Sequence, residues 1–130
     1  VRLQDDLLPL LDASARGTLG RFEGEALSWG EAATCIVLAS GGYPRSYETG
    51  KAIEGLDEAA AGEGIAIFHA GTKRGGDTGY VTAGGRVVGV TASGTDVPES
   101  RARAYAAARK VAFEGVHYRN DIANRALEPR

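Results

Sequence analysis

Apolar residues recur at helical spacing near the start of the chain. The residues that form this stripe are Leu3, Leu7, Leu8, Leu11 and Ala15. One apolar face of this kind is typical of an amphipathic helix that packs against another part of a protein. Asp5 and Asp6 suit the first turn of such a helix, and Gly17 suits its end. We therefore predict a helix that ends at about Gly17, followed by a linker over residues 17–30.

A second helical pattern follows Asp96. Asp96 and Glu99 stand at capping-box spacing, and Pro98 occupies the first turn, where the missing N–H of proline costs nothing. The apolar stripe behind them consists of Ala104, Tyr105, Ala108, Val111 and Ala112. Gly115 is the next helix-ending residue. The pattern predicts a long helix that ends near Gly115 and covers one face of a sheet.

Short β-branched or aromatic runs bounded by glycine lie between these two helices. They span residues 34–39, 65–70, 80–83 and 86–91 and predict four strands. The glycine-rich segments 75–79 and 84–85 are typical of hairpin turns, which join antiparallel strands. Residues 116–122 offer a last short strand. The prediction is an α+β fold, a small antiparallel β-rich domain with one covering helix, preceded by the N-terminal helix.

Composition limits the classes of function. The chain has 130 residues, enough for one domain with its own core, and a net charge of -2. No general basic field is present, so we expect neither a nucleic-acid nor a membrane partner. No apolar run approaches the ~20 residues that span a bilayer. Cys35, the single cysteine, lies in an apolar run and predicts a buried thiol in a reducing compartment.

The chain lacks the common catalytic motifs. It has neither a phosphate-binding P-loop nor a dinucleotide-binding glycine pattern. One cysteine and two separated histidines, His69 and His117, make a zinc site improbable, and a structural role is favoured for each histidine. Ser40 has glycine neighbours but no visible base partner. We therefore predict no catalytic residue and no metal ligand in this chain.

Two features point instead to the binding of an anion. Lys73 lies beside one glycine-rich turn and Arg86 beside another, and paired strands would bring both cations to one face. Backbone amides and a guanidinium fork suit a phosphate group, although solvated turn charges are the more common outcome. The loop that follows Ser40, with Gly41, Gly42 and Tyr43, suits either a binding site or an ordinary surface turn.

Five blocks of sequence carry a family resemblance. They span residues 38–51, 53–56, 68–72, 81–92 and 113–122, and they include Ser-Gly-Gly-Tyr-Pro, Phe-His-Ala-Gly-Thr and Thr-Ala-Gly-Gly-Arg. In this order and spacing they resemble the C-terminal domain of the phosphoribosylamine–glycine ligase family. The chain departs from the family pattern at Arg45, where glycine is frequent, and in the turn after Lys73.

The resemblance implies an ATP-grasp enzyme of purine biosynthesis, cytoplasmic in bacteria. Such an enzyme joins 5-phosphoribosylamine to glycine with ATP and Mg²⁺ through a glycyl phosphate. Its C-terminal domain closes the substrate side of the cleft. The resemblance and the charges together assign substrate binding to Gly41, Gly42, Tyr43, Lys73 and Arg86, with the phosphate of a ribosyl phosphate near Lys73 and Arg86.

The resemblance also implies a division of the chain and a partner. Residues 1–31 correspond to a helix and linker from a preceding ATP-grasp domain, and residues 32–130 to the C-terminal domain. The ATP and Mg²⁺ sites are expected in that preceding core, the partner of this chain. The 130 residues alone are therefore expected to be inactive and to bind no cofactor.

The sequence also leaves room for two other classes of protein, a freestanding binding module and a carrier domain. One alternative is a freestanding module that binds a phosphate ligand on the same scaffold. It predicts a sealed polar surface, whereas a ligase domain predicts an apolar patch for its core. A biotinyl or lipoyl carrier is disfavoured, because Lys73 has Arg74 beside it without the usual flanking pattern.

Overall fold

The computed structural model describes residues 1–75 and 79–127. Within them, the strands are β1 Ala32–Ala39, β2 Ala52–Ile53, β3 Ile65–His69, β4 Thr72–Arg74, β5 Tyr80–Thr82 and β6 Arg86–Gly94. The α-helices are α1 Leu7–Ala15, α2 Leu56–Ala60 and α3 Val97–Ala108, with 3-10 turns at Leu19–Phe22 and Asn124–Ala126. The predicted α+β class is confirmed. The short helix α2, which begins at a left-handed glycine without a side-chain cap, was not predicted.

The strands form two antiparallel sheets, one of order β1-β6-β3 and one of order β2-β5-β4. The long strand β6 is the centre of the first sheet, and α3 packs across β6 and β1. The buried side chains between helix and sheet include Ile36, Leu38, Val90, Ala104 and Ala108. The covering helix therefore lies where the apolar stripe predicted it.

The start of α3 follows the predicted capping pattern. The carboxylate of Asp96 accepts a hydrogen bond of 2.8 Å from the backbone N–H of Glu99. The carboxylate of Glu99 in turn accepts bonds of 2.8 Å from both the N–H and the hydroxyl of Thr95. These bonds from Thr95 hold the pKa of Glu99 below its usual value. Two free N–H groups at the helix start are thereby paired.

The end of α3 differs from the prediction. The helix stops at Ala108, well before Gly115. After Lys110 the backbone pairs with another part of the chain: Ala112 and Glu54 exchange N–H to carbonyl bonds of 3.1 and 2.9 Å. Val111 is buried in the core from this extended segment. Tertiary pairing thus overrides a helical pattern that no glycine or proline interrupts.

Of the two predicted hairpin turns, only one joins a hairpin. β4 and β5 pair on either side of residues 75–79, of which 76–78 lie outside the described residues. The segment 84–85 instead connects β5 to β6, which belong to different sheets. The sequence suggested that Lys73 and Arg86 lie on paired strands. They do not, because β4 and β6 belong to different sheets. The expected last strand over 116–122 is reduced to a single bridge between His117 and Ala39.

The predicted burial of Cys35 is wrong. Residues of β1 alternate between the two faces of the sheet, and Ile36 and Leu38 face the helix. Cys35 and Val37 therefore face outward, and the thiol is exposed. The apolar run predicted the strand correctly, but it did not indicate which face of the strand is exposed to solvent.

The first thirty residues fold back on themselves. Leu3 bridges to Trp29, and the N–H of Gly30 donates to the carbonyl of Arg2 at 2.7 Å. Because Leu3 is used in this pairing, α1 begins only at Leu7, with the carboxylate of Asp6 accepting from the N–H of Leu8. Gly17 ends the helix region with a positive φ, as predicted. No helix within residues 1–75 and 79–127 has the length and apolar character needed to cross a membrane.

A buried hydroxyl pair joins α3 to the sheet and gives the first prediction. Ser100 and Thr34 lie 2.9 Å apart, Oγ to Oγ1, and Ser100 also donates to the carbonyl of Val97. Ser100→Ala leaves the Thr34 hydroxyl unpaired in the core, so we expect a loss of about 1–3 kcal/mol in the free energy of unfolding. Urea unfolding measures it. The double variant with Thr34→Val should lose less than the sum of the two single variants; strict additivity would contradict a direct bond.

Candidate functional site

An irregularity in β6 sets the position of Arg86. Leu38 pairs with Val88, but the next residue, Ala39, pairs with Arg86, so Val87 is an extra residue in the ladder. In a regular strand Arg86 and Gly89, three residues apart, would face opposite sides. The bulge removes that difference, and both residues line one groove on the side away from α3. Val87 and Val88 are both fully buried.

This groove is open to solvent and has a volume of about 620 Å³. Its lining combines apolar side chains, glycine backbone and a few polar groups: Val37, Tyr43, Phe68, His69, Ala70, Gly71, Gly85, Arg86, Val88 and Gly89. Arg86 lies at the start of β6, and Val37 and Phe68 flank the middle of that strand. The groove therefore has a cationic end and an apolar end.

The loop after β1 delivers Tyr43 to the groove. Gly42 has φ of +91°, and a side chain there would collide with the carbonyl of Ser46. Ser40 holds the loop to the neighbouring turn: its hydroxyl donates to the carbonyl of Gly84 at 2.9 Å, and its N–H to Gly85 at 2.8 Å. The ring of Tyr43 lies directly over Gly85. Ser40 is thus a loop anchor, consistent with its lack of a base partner.

The far end of the same loop is fixed by charge. Lys51 contacts Glu48 at 2.8 Å and Glu114 at 3.0 Å. Hydrogen bonding to Lys51 lowers the pKa of Glu48, and the two carboxylates raise the pKa of Lys51. Lys51 is therefore occupied by its partners and is not a free cation for a ligand.

Arg86 and Lys73, by contrast, are uncommitted. Within the described residues neither side chain makes a hydrogen bond or an ion pair, and both are exposed. Arg86 lines the groove, whereas Lys73 lies on β4 in the other sheet and does not line it. The structure thus brings Tyr43 and Arg86 together, places Gly41 and Gly42 in the loop that carries Tyr43, and leaves Lys73 apart from them.

His69 was assigned a structural role from the sequence, yet it borders the groove. Its Nδ1 lies 2.9 Å from the hydroxyl of Thr72, and its ring lies 4.3 Å from the ring of Tyr80, centroid to centroid. Arg74 covers Tyr80 from 4.6 Å. These contacts orient the imidazole, so they agree with a structural role. Sequence reasoning also missed Val37, Phe68 and Gly89, although strand alternation was a signal for the outward position of Val37.

In the parts of the chain that the structure describes, no group of three or more histidine, cysteine or carboxylate side chains converges on a common point. The chemistry available in the groove is therefore cationic and hydrogen-bonding. A guanidinium, a phenol hydroxyl and an imidazole suit the binding of an anionic group.

Comparison with known proteins places this geometry in a family of ligase domains. The family described as "Phosphoribosylglycinamide synthetase, C domain" matches residues 33–125. The chain belongs to this family.

Named relatives agree with that assignment. The chain is 50% identical over 98% of its length to a phosphoribosylamine–glycine ligase of Rhizobium meliloti, covering 29% of that protein. It is 42% identical over its whole length to the chloroplastic ligase of Arabidopsis thaliana, covering 24% of it. A crystal structure of the Thermotoga maritima ligase is similar with a TM-score of 0.65 and 35% identity, over 90% of this chain and 29% of that one. The chain thus spans about a quarter to a third of the length of these ligases.

The contact between Tyr43 and Gly85 gives the second prediction. Any side chain at Gly85 would overlap the Tyr43 ring, so Gly85→Ala should displace that ring from the groove and cost about 1–3 kcal/mol of stability. Chemical denaturation measures the loss, and a crystal structure locates the ring. Gly20→Ala is the matched control, since a side chain there meets nothing within 4 Å. An unmoved ring in Gly85→Ala would show that the contact does not set its position.

Proposed function

We propose that this chain is the substrate-side domain of a phosphoribosylamine–glycine ligase, which joins 5-phosphoribosylamine and glycine with ATP in purine biosynthesis. Its groove binds the phosphate of the ribosyl phosphate substrate. The observation that carries the proposal is Arg86, which lines the groove and whose guanidinium has no ion-pair partner among the described residues. The cytoplasm is the compartment that the family resemblance implies.

Arg86 suits a phosphate for physical reasons. A guanidinium presents several donors in one plane and forms paired hydrogen bonds to phosphate oxygens. Tyr43, whose ring lies over the neighbouring Gly85, lines the same groove and carries a hydroxyl that can donate a hydrogen bond. Gly41 and Gly42 contribute by shaping the loop; a side chain at Gly41 would approach the carbonyl of Gly115 to 3.1 Å.

Lys73 remains part of the proposal as a second, outer cation. The start of β4, which carries Lys73, lies close to the backbone of Arg86, because the N–H of Gly71 donates to the carbonyl of Arg86 at 2.8 Å. Lys73 follows Gly71 by two residues on an exposed strand. A long lysine side chain at this place raises the local positive potential without lining the groove itself.

The described residues do not fit the Mg²⁺ ion that the family uses together with ATP. Mg²⁺ is held by carboxylates and by substrate phosphates, and no cluster of carboxylates is present in ranges 1–75 and 79–127. In our proposal the other part of the ligase supplies the nucleotide and metal sites, and this chain supplies substrate binding. The 130 residues alone should then show no ligase activity.

An apolar surface on the first thirty residues, called here the N-terminal unit, supports docking against the rest of the enzyme. Large apolar side chains are exposed here at 41% or more: Leu7, Leu8, Leu11, Leu19, Leu27 and Trp29. Leu8, at 69%, is the most exposed of them. Apolar surface collected on one unit is typical of an interface. A freestanding phosphate-binding module predicts a sealed polar surface, so this observation favours the ligase domain over that alternative.

The third prediction tests the phosphate contact in the complete ligase that contains this chain. Arg86→Ala removes a charge-assisted bond, so KM for phosphoribosylamine should rise about 10- to 100-fold. Arg86→Lys keeps the positive charge but not the planar guanidinium, so its KM should lie between those of the unchanged protein and Arg86→Ala. Arg109→Ala, which removes an exposed cation at the end of α3, is the control and should leave KM unchanged. Steady-state kinetics measures all three, and an unchanged KM in Arg86→Ala would refute the contact.

The fourth prediction tests the docking surface. In the complete protein, Leu8→Glu places a charge in the interface and should lower the stability of the assembled enzyme by about 2–5 kcal/mol. Arg16→Ala, at the C-terminal end of the same helix, removes only an exposed ion pair with Asp12 and should cost less than about 0.5 kcal/mol. Thermal unfolding with calorimetry compares them. Equal, small effects would favour the freestanding module.

A further inference from the structure

One row of residues across the larger sheet has a gap at its centre. Val37 on β1 and Phe68 on β3 both pair in register with Gly89 on β6. Paired residues of neighbouring strands project to the same face, so the three positions form one line across the outer face. Val37 is 44% and Phe68 51% exposed, and between them Gly89 has no side chain.

The gap is confined to this row. In the next row along the sheet, Thr91 occupies the corresponding place between Cys35 and Ala66 and is nearly buried. A side chain at Gly89 would lie 3.1 Å from the sulfur of Cys35 and 3.9 Å from Phe68. Its φ is not in the left-handed region, so the backbone does not require glycine there. What the glycine provides is an open platform walled by two apolar side chains.

The platform is continuous with the cationic end of the groove. Gly89, Val37 and Phe68 line the same groove as Arg86. Gly89 lies three positions after Arg86, about 10 Å in a regular strand and less across the bulge. A phosphate bound by Arg86 and a single five-membered ring attached to it fit within this span of one groove. A ring with apolar C–H edges suits the open backbone at Gly89 and the apolar side chains of Val37 and Phe68.

We propose that Gly89, Val37 and Phe68 form the platform for the sugar ring of the phosphorylated substrate, and that they select a pentose phosphate over a phosphate without a ring. The inference rests on the proposed function, because it takes the phosphate to lie at Arg86. Arg86 then binds the phosphate, and the row of residues through Gly89 provides specificity for the sugar ring attached to that phosphate.

The test compares two probes, ribose 5-phosphate and inorganic phosphate, by titration calorimetry. The protein is the complete ligase that contains this chain, with its nucleotide site saturated by a non-hydrolysable ATP analogue. Gly89→Val fills the platform and should weaken ribose 5-phosphate at least about tenfold, while phosphate affinity changes less than about twofold. Ala66→Val is the control: it creates the same valine side chain one row away and should change neither affinity.

Each outcome decides one question. If Arg86→Ala weakens ribose 5-phosphate but Gly89→Val does not, the platform is refuted and the phosphate site stands. If Arg86→Ala changes neither affinity, the proposed phosphate site itself fails, and the platform fails with it. Should Gly89→Val not fold, as circular dichroism would show, Phe68→Ala decides instead. Phe68 is half exposed, so its truncation leaves the core intact, and an unchanged affinity for ribose 5-phosphate would overturn the inference.

Discussion

The bulge at Val87 is the constraint on which the site depends. β6 is the central strand of its sheet, paired on both sides, and its inner face is covered by α3. Without an extra residue, the regular alternation that buries Val88 and Val90 would direct Arg86 toward this same inner side. A buried, unpaired guanidinium is costly, so the fold and the site are compatible only because the ladder slips by one residue at this place.

Close backbone contacts build the cationic end of the groove and join the two sheets. The N–H of Gly71 donates to Arg86 at 2.8 Å, and the N–H of Ala83 donates to Gly71 at 2.7 Å. A side chain on Gly71 would lie 2.6 Å from the carbonyl of Arg86 and 2.7 Å from the Cα of Gly84. Only glycine permits this approach. The glycines therefore determine the distance between the sheets as well as the shape of the turn.

The sequence predicted those parts of the fold that local signals determine. The capping residues Asp96 and Glu99 located the start of α3, and glycine-bounded β-branched runs located β1, β3 and β6 to within a few residues. The end of α3 was missed because nothing near Ala108 interrupts the helical pattern; pairing with a residue more than fifty positions earlier stops it.

The same limit explains which residues of the groove the sequence singled out. Arg86 and Tyr43 carry chemistry visible in a sequence, next to glycines that mark turns. Gly89 carries none, and its place between Val37 and Phe68 exists only once both neighbouring strands are in register. The error over Cys35 has the same origin, since an apolar run does not reveal which face of a strand another element covers.

The groove and the exposed leucines of α1 together restrict how this domain can contribute to a reaction. Arg86 is available to bind an anion. Within the described residues, however, no carboxylate cluster is present to hold a metal ion that would activate the bound anion. Charge neutralisation and orientation can lower a barrier only for groups that another element brings into the same space. The apolar surface around Leu8 is the feature that would attach such an element. Because the groove opens to solvent, an element that docked over it and excluded water would strengthen the attraction between Arg86 and an anion.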